Sequence, residues 1–181
     1  AFERYLYPLP RNPRSPHYEA SGQRYPGFHH MFIEPNTAIE TLDILPGMTA
    51  ADFGAGAGFY TISLARRLGV SGKVYAIDIQ KEALEVVRSK AKTECLSNVE
   101  TLWGNLEKPE GSHLKSNSVD IVVISNILFQ ATDKKAVAEE AARVLKSGGR
   151  VMVVEWAETA PVGSFGPAQE HRLSKQETRV L

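Results

Sequence analysis

The chain has 181 residues, 43% hydrophobic and 23% charged, the balance of one ordinary globular domain and not of a disordered, collagenous or disulfide-stapled chain. Its 21 Lys+Arg are matched by 21 Asp+Glu, so no basic surface built for nucleic acid or an anionic membrane is expected. No apolar run approaches the ~18 residues that span a bilayer, no leader is visible, and the single Cys95 has no internal partner, so the expected location is cytoplasmic.

Residues 1–30 carry half of the ten prolines (Pro8, Pro10, Pro13, Pro16 and Pro26) among tyrosines and arginines. Proline fixes φ and lacks a donor, so this stretch reads as an extended arm, either disordered or acting as a lid or partner-binding segment, ahead of a domain at 31–181. A first helix is expected from Pro35, with Ala38, Ile39, Leu42 and Leu45 on its inner face and Pro46-Gly47 ending it. Then follow a strand at 49–53, a helix at 59–68, a strand at 73–78, a helix at 81–94 and a strand at 99–103. A polar loop at 107–117 leads to a strand at 119–125, too apolar to have a wet face. A helix at 133–145 turns Ala136, Val137, Ala141, Val144 and Leu145 inward, stops at Gly148-Gly149, and precedes a strand at 150–156. Pro161, Gly163, Gly166 and Pro167 mark a loop, and Ser174 with Glu177 three residues on forms a capping box that opens a helix over 174–181.

Strands separated by helices of this length are βαβ units, and strands apolar on both faces belong in a covered parallel sheet. The expected fold is therefore α/β, a doubly wound, mostly parallel sheet with helices on both faces. Ligands of such sheets lie beyond the carboxyl ends of the strands, where the strand order reverses.

Two strand ends stand out. The first runs into Asp52-Phe53-Gly54-Ala55-Gly56-Ala57-Gly58 and directly into a helix. Alternating glycines permit positive φ and close approach of a ligand to the backbone, whereas an ordinary tight turn needs one or two. The second ends in Asp78, about 20 residues past the glycines, where a carboxylate accepts from ribose hydroxyls; alone it would equally serve as a helix cap.

These residues resemble the class I S-adenosylmethionine-dependent methyltransferases, over roughly residues 35–156. The turn 52–58 resembles that family's first motif, 74–78 its acidic strand end, Val119-Asp120-Ile121-Val122 its fourth strand, and Leu145-Lys146-Ser147-Gly148-Gly149-Arg150 the turn before its fifth. The flavour is that of the small-molecule group that includes the ubiquinone and menaquinone biosynthesis type. The resemblance implies S-adenosyl-L-methionine as cofactor, with Gly54, Ala55 and Gly56 lining its methionine part and Asp52 near its amino group. It implies Asp78 on the ribose hydroxyls, Ile79 against adenine, Asn105 and Leu106 at the adenine edge, and Ser125 with Asn126 facing the methionine carboxylate or the acceptor. Asn105 stands where the family often has Asp, and Asn still offers both a donor and an acceptor. The family's sheet has seven strands ending in an antiparallel hairpin; no convincing strand follows Trp156, so that hairpin is expected to be missing.

Methyl transfer from a sulfonium is an in-line displacement in which alignment contributes most, on the order of 7–11 kcal/mol, and a base is needed only for an acceptor that must lose a proton. No obligatory catalytic residue is evident. His30, beside His29 ahead of the fold, is the candidate base, and a lid over 25–32 is expected; His113 and His171 read as solvated. There is no CxxC or HExxH, so no metal is expected. Asn126 is followed by Ile127-Leu128-Phe129, not by the Pro-Pro-aromatic run of amino-directed nucleic-acid methylases, which favours a small-molecule acceptor. Two other readings compete: a non-catalytic S-adenosylmethionine-binding protein on the same fold, and an NAD-dependent oxidoreductase, disfavoured because the glycines run G-x-G-x-G and not G-x-G-x-x-G.

Overall fold

The computed structural model describes residues 34–156 and 167–181. In chain order these form α1 (Pro35–Ile39), β1 (Thr49–Phe53), α2 (Phe59–Leu68), β2 (Lys73–Asp78), α3 (Lys81–Thr93), β3 (Val99–Trp103), β4 (Val119–Ser125), α4 (Lys134–Val144), β5 (Leu145–Val154) and α5 (Lys175–Val180). The sheet has five strands in the order β3-β2-β1-β4-β5, and every pairing is parallel. The chain builds outward from β1 to β3, then returns to lay β4 on the other side of β1. The strand order therefore reverses between β1 and β4, at the end of β1 that carries the glycines.

Strand periodicity explains why the run 121–124 of β4 is continuously apolar. Ile121 and Val123 face α1 and α2, packing with Ile39, Leu42, Leu64 and Leu68. Val122 and Ile124 face α4, packing with Val137, Ala141 and Val144. Successive side chains point to opposite faces and both faces are covered there, so the polar residues of β4, Asp120 and Ser125, stand only toward its ends.

The first helix is shorter than its spacing suggests. Pro35 occupies the first turn and the Glu34 carboxylate accepts from Thr37 N at 3.0 Å, but the helix ends at Ile39. The Thr41 hydroxyl donates to Ala38 O at 2.7 Å and the chain turns. Leu42 and Ile44 are then the buried residues, and Leu45 is 59% exposed, against the inward placement its spacing suggests. At the other end of the fold, β5 begins at Leu145 and not at residue 150. Leu145 pairs with Val119 and Arg150 with Ile121, so 146–149 bulge out of the strand, with Gly148 at φ +79°. Lys146 Nζ closes the bulge onto Asp120 at 2.9 Å. Ala136, expected inward on α4, is only half-buried, and the buried polar residue Glu140 takes a place on that inner face.

The segment 107–117 is not a solvated loop throughout. Ser112 and Leu114 are buried, and the Glu140 carboxylate accepts from both the amide and the hydroxyl of Ser112. Arg143 closes the cluster, pairing with Glu140 at 2.7 Å and donating to Leu114 O at 2.8 Å. This clamps the connection leaving β3 onto α4. After the break in the described residues, the capping box stands as expected: Glu177 N donates to Ser174 Oγ at 3.1 Å, and Ser174 N donates to Glu177 Oε2 at 2.7 Å. Among the described residues no strand follows β5, so β3 and β5 form the two edges.

Candidate cofactor site at the carboxyl end of the sheet

The glycine turn is held against the end of β2. Gly54 N and Ala55 N both donate to Ile77 O, at 2.8 and 3.0 Å, and Gly58 N closes the turn on Ala55 O at 2.8 Å. Gly54, Gly56 and Gly58 all have positive φ, at +74°, +49° and +78°. That conformation costs other residues ~1–2 kcal/mol, which is why the turn is spelled with glycine. The glycines differ in their surroundings. A Cβ on Gly54 would overlap the Ile127 side chain, whereas a Cβ on Gly56 would meet nothing closer than Gly54 O at 4.0 Å. Gly56 is thus the member of the turn that presents bare backbone to open space.

Asp78 joins the two strand ends. Its Oδ2 accepts from Gly56 N at 2.8 Å, across 22 residues, and its Oδ1 accepts from Gln80 N at 2.8 Å. A carboxylate has about four acceptor positions, so two remain for other donors. Beside it Ile79 and Trp103 are about half exposed, and the Trp103 indole N–H donates to Ile79 O at 2.8 Å. Lys81 Nζ lies 5.8 Å from the Trp103 ring. The result is a ledge of exposed apolar surface flanking a carboxylate and a free-standing glycine backbone.

Asp52 lies below the turn and is 1% exposed. Its Oδ2 accepts from Thr61 Oγ1 at 2.6 Å, tying β1 to α2. Burial pushes its carboxyl up to about 6 against the pull of the Thr61 bonds, with the nearby Asp78 charge adding to the rise. Across the switch point, Ser125 ends β4, half-buried and near the Tyr60 hydroxyl, and its Oγ accepts from Asn126 Nδ2 at 3.3 Å. Burial raises Tyr60 to about 12, so it stays a neutral hydroxyl. Asn105 Oδ1 accepts from Glu107 N at 3.0 Å. Leu106 turns away into the core on the α4 side.

The structure thus brings Asp52, Gly54, Ala55, Gly56, Asp78, Ile79 and Ser125 together at one end of the sheet, with Asn105 following β3 at the same end. His30 and the whole segment 25–32 lie outside the described residues, as does the arm 1–30; His113 and His171 are exposed. Three residues were not anticipated. Tyr60 signals itself only as a large aromatic two residues past the last glycine of the turn. Ile127 covers Gly54. Glu155 follows β5; its Oε1 accepts from Leu128 N at 2.7 Å, and the nearby backbone of Ile127, Phe129 and Trp156 also favours its charged form. Burial pushes Glu155 up to about 7 despite that pull. Its sequence signal is the one that marked Asp78: an acidic residue ending an apolar run.

A family model described as a methyltransferase domain matches residues 44–178. Over 112 residues the chain is 37% identical to the demethylmenaquinone methyltransferase of Lactococcus lactis, covering 61% of this chain and 43% of that protein. It is 34% identical over 126 residues to the Bacillus mycoides protein of the same name, covering 69% and 52%. The chain spans about half the length of these curated relatives. Its backbone is similar to the crystal structure of a SAM dependent methyltransferase from Aquifex aeolicus, with a TM-score of 0.72 and 30% identity over 81% of this chain and 76% of that one. The matched residues take in every strand of the sheet and all of the site built above, and the chain belongs to the methyltransferase-domain family.

Proposed function

We propose that this chain binds S-adenosyl-L-methionine at the carboxyl end of the sheet and transfers its methyl group to a small molecule, a quinone-related ring. The observation that carries the reading is the bond between Gly56 N and Asp78 Oδ2, which sets a ribose-binding carboxylate beside an unobstructed glycine backbone at the strand-order reversal. The residues present fit the cofactor. Asp78 keeps acceptor positions for both ribose hydroxyls, Ile79 and Trp103 offer apolar surface to a purine, and the open side of Gly56 leaves room for the methionine chain. The names of the relatives support a quinone-related acceptor.

The bound cofactor supplies an electrophilic methyl on a sulfonium. The residues of this chain hold and orient. The tether from Asp78 to Gly56 fixes the turn before any ligand arrives, so less ordering is left for the binding step. Alignment of the acceptor with the methyl group then accounts for the acceleration, with a base needed only if the acceptor atom carries a proton.

Calorimetry with S-adenosylmethionine, S-adenosylhomocysteine and NAD, followed by transfer of labelled methyl to a demethylated naphthoquinol and to an unrelated metabolite pool, tests the reading. Binding of the two sulfur nucleosides and label in the naphthoquinol are expected. Binding of NAD alone would overturn the cofactor, and label only in the pool would overturn the quinone-related acceptor. Cofactor binding with no label in either would leave a binding protein and remove the transferase.

A further inference from the structure

Glu155 is a mostly buried carboxylate that neither the fold nor the proposed transfer uses directly. It follows β5, yet it reaches across to the turn after β4, where its Oε1 accepts from Leu128 N at 2.7 Å. That turn is a single helical loop, with Ala131 N donating to Ile127 O at 3.0 Å. The first amides of such a turn have no partner within it, and the carboxylate that follows the neighbouring strand takes that of Leu128. The loop enters through Asn126, which has φ +54°, a strained conformation for a residue with a side chain, and Asn126 N is pinned to Val154 O at 2.8 Å. The payload of the loop is Ile127. Its Cγ2 occupies the space that a Cβ on Gly54 would need, so the isoleucine lies directly on the glycine turn.

We propose that Glu155 is a positioning residue of the cofactor site: by anchoring the turn after β4 it presses Ile127 onto Gly54 and sets the wall shared by the methionine end of the cofactor and the incoming acceptor. This rests on the cofactor reading above for what the wall faces, and on geometry alone for what holds it. A carboxyl oxygen that accepts the Leu128 amide at 2.7 Å fixes the loop more firmly than apolar contact does, because a hydrogen bond is directional. Asn126 stays in its left-handed conformation because bonds on both sides of it over-determine the backbone.

The test joins amide exchange in the free protein to a double-mutant cycle in cofactor affinity. In Glu155→Ala, the amides of Ile127, Leu128 and Phe129 lose protection while those of β1 and β4 keep theirs. Affinity for S-adenosylhomocysteine falls by about tenfold or more, because Ile127 is no longer held against the turn. Ile127→Ala, which leaves Glu155 intact, gives a similar loss, and the double variant is no worse than either single because both remove the same wall. Glu155→Gln keeps one acceptor oxygen and restores affinity to within about threefold of the native chain. Unchanged protection at 127–129 in Glu155→Ala would overturn the anchoring, and losses that add in the double variant would overturn the link to Ile127. Failure of the native chain to bind S-adenosylhomocysteine would sink the cofactor reading instead, while the exchange data still decide what Glu155 holds.

Discussion

Asp78 and Gly56 are joined by a 2.8 Å hydrogen bond across 22 residues, so the proposed ribose acceptor is also the peg that holds the glycine turn. Replacing Asp78 by alanine removes both roles at once, and asparagine separates them. Asp78→Asn keeps one carbonyl oxygen for a turn amide and loses the charged acceptor. S-adenosylhomocysteine binding is expected to weaken by roughly 1.5–3 kcal/mol, the range for hydrogen bonds to a charged group. Calorimetry beside circular dichroism checks it: an unchanged dissociation constant in a folded variant would remove Asp78 from the ribose.

The glycines of the turn should respond differently to the same substitution. Gly56→Ala has room for its Cβ and pays only the left-handed conformation, ~1–2 kcal/mol, so the chain folds and loses ligand binding because the methyl enters the open space. Gly54→Ala collides with Ile127 and must push the turn after β4 away, so it lowers stability as well as displacing the Ile127 wall. Thermal melts and calorimetry on both variants decide the matter. A Gly56→Ala chain that binds at native affinity would make the turn purely structural.

Much of this was legible in the sequence, and the reason is periodicity. The strands at 49–53, 73–78, 99–103 and 119–125 are short apolar-rich stretches separated by helical or turn segments, and they stand where those signals place them. The glycine turn and Asp78 were legible because close backbone approach leaves glycine no substitute. What escaped depends on pairings between distant residues. Leu45 continues a helical spacing after the helix has ended at Ile39, since spacing does not register the Thr41 turn. The β5 bulge is set by pairing with β4, which no local pattern records. Glu140 sits on the inner face of α4 because Ser112, 28 residues earlier, needs an acceptor.

That pairing has a measurable weight. Glu140→Ala would leave the buried Ser112 amide and hydroxyl without their acceptor and take from Arg143 its carboxylate, leaving it the bonds to Leu114 O and Ser116 Oγ. The expected loss is ~2–4 kcal/mol, above that of a surface ion pair, because a buried unsatisfied donor forfeits its desolvation cost. Urea unfolding measures it. Exchange at 104–114 should rise with it, since this segment is the part of the chain that the clamp holds. A loss below about 1 kcal/mol would reduce the cluster to an ordinary surface ion pair.

Stability should fall as the pH rises from about 4 to about 7, and two buried carboxyls set the sign. Asp52 is raised from 3.8 to about 6 and Glu155 from 4.5 to about 7, both chiefly by burial. A carboxyl whose pKa is higher in the folded state holds its proton more tightly there than in the unfolded chain. Its contribution is therefore greatest below the unfolded value and is lost as the pH climbs through the folded one. Each shift corresponds to on the order of 3 kcal/mol. Glu140 works in the opposite direction: its carboxyl is lowered by Arg143 and Ser112 despite burial, so its contribution is present above 4.5 and fades in more acidic solution. The two effects together place the stability maximum on the acid side of neutrality. Asp52→Asn and Glu155→Gln should each flatten the decline toward pH 7, and Glu140→Gln should flatten only the acid limb. Unfolding free energies across pH 3.5 to 8 for the four chains test this. A native profile that climbs from pH 5 to 7 would show that both carboxyls ionise at ordinary values and that their burial is relieved in solution.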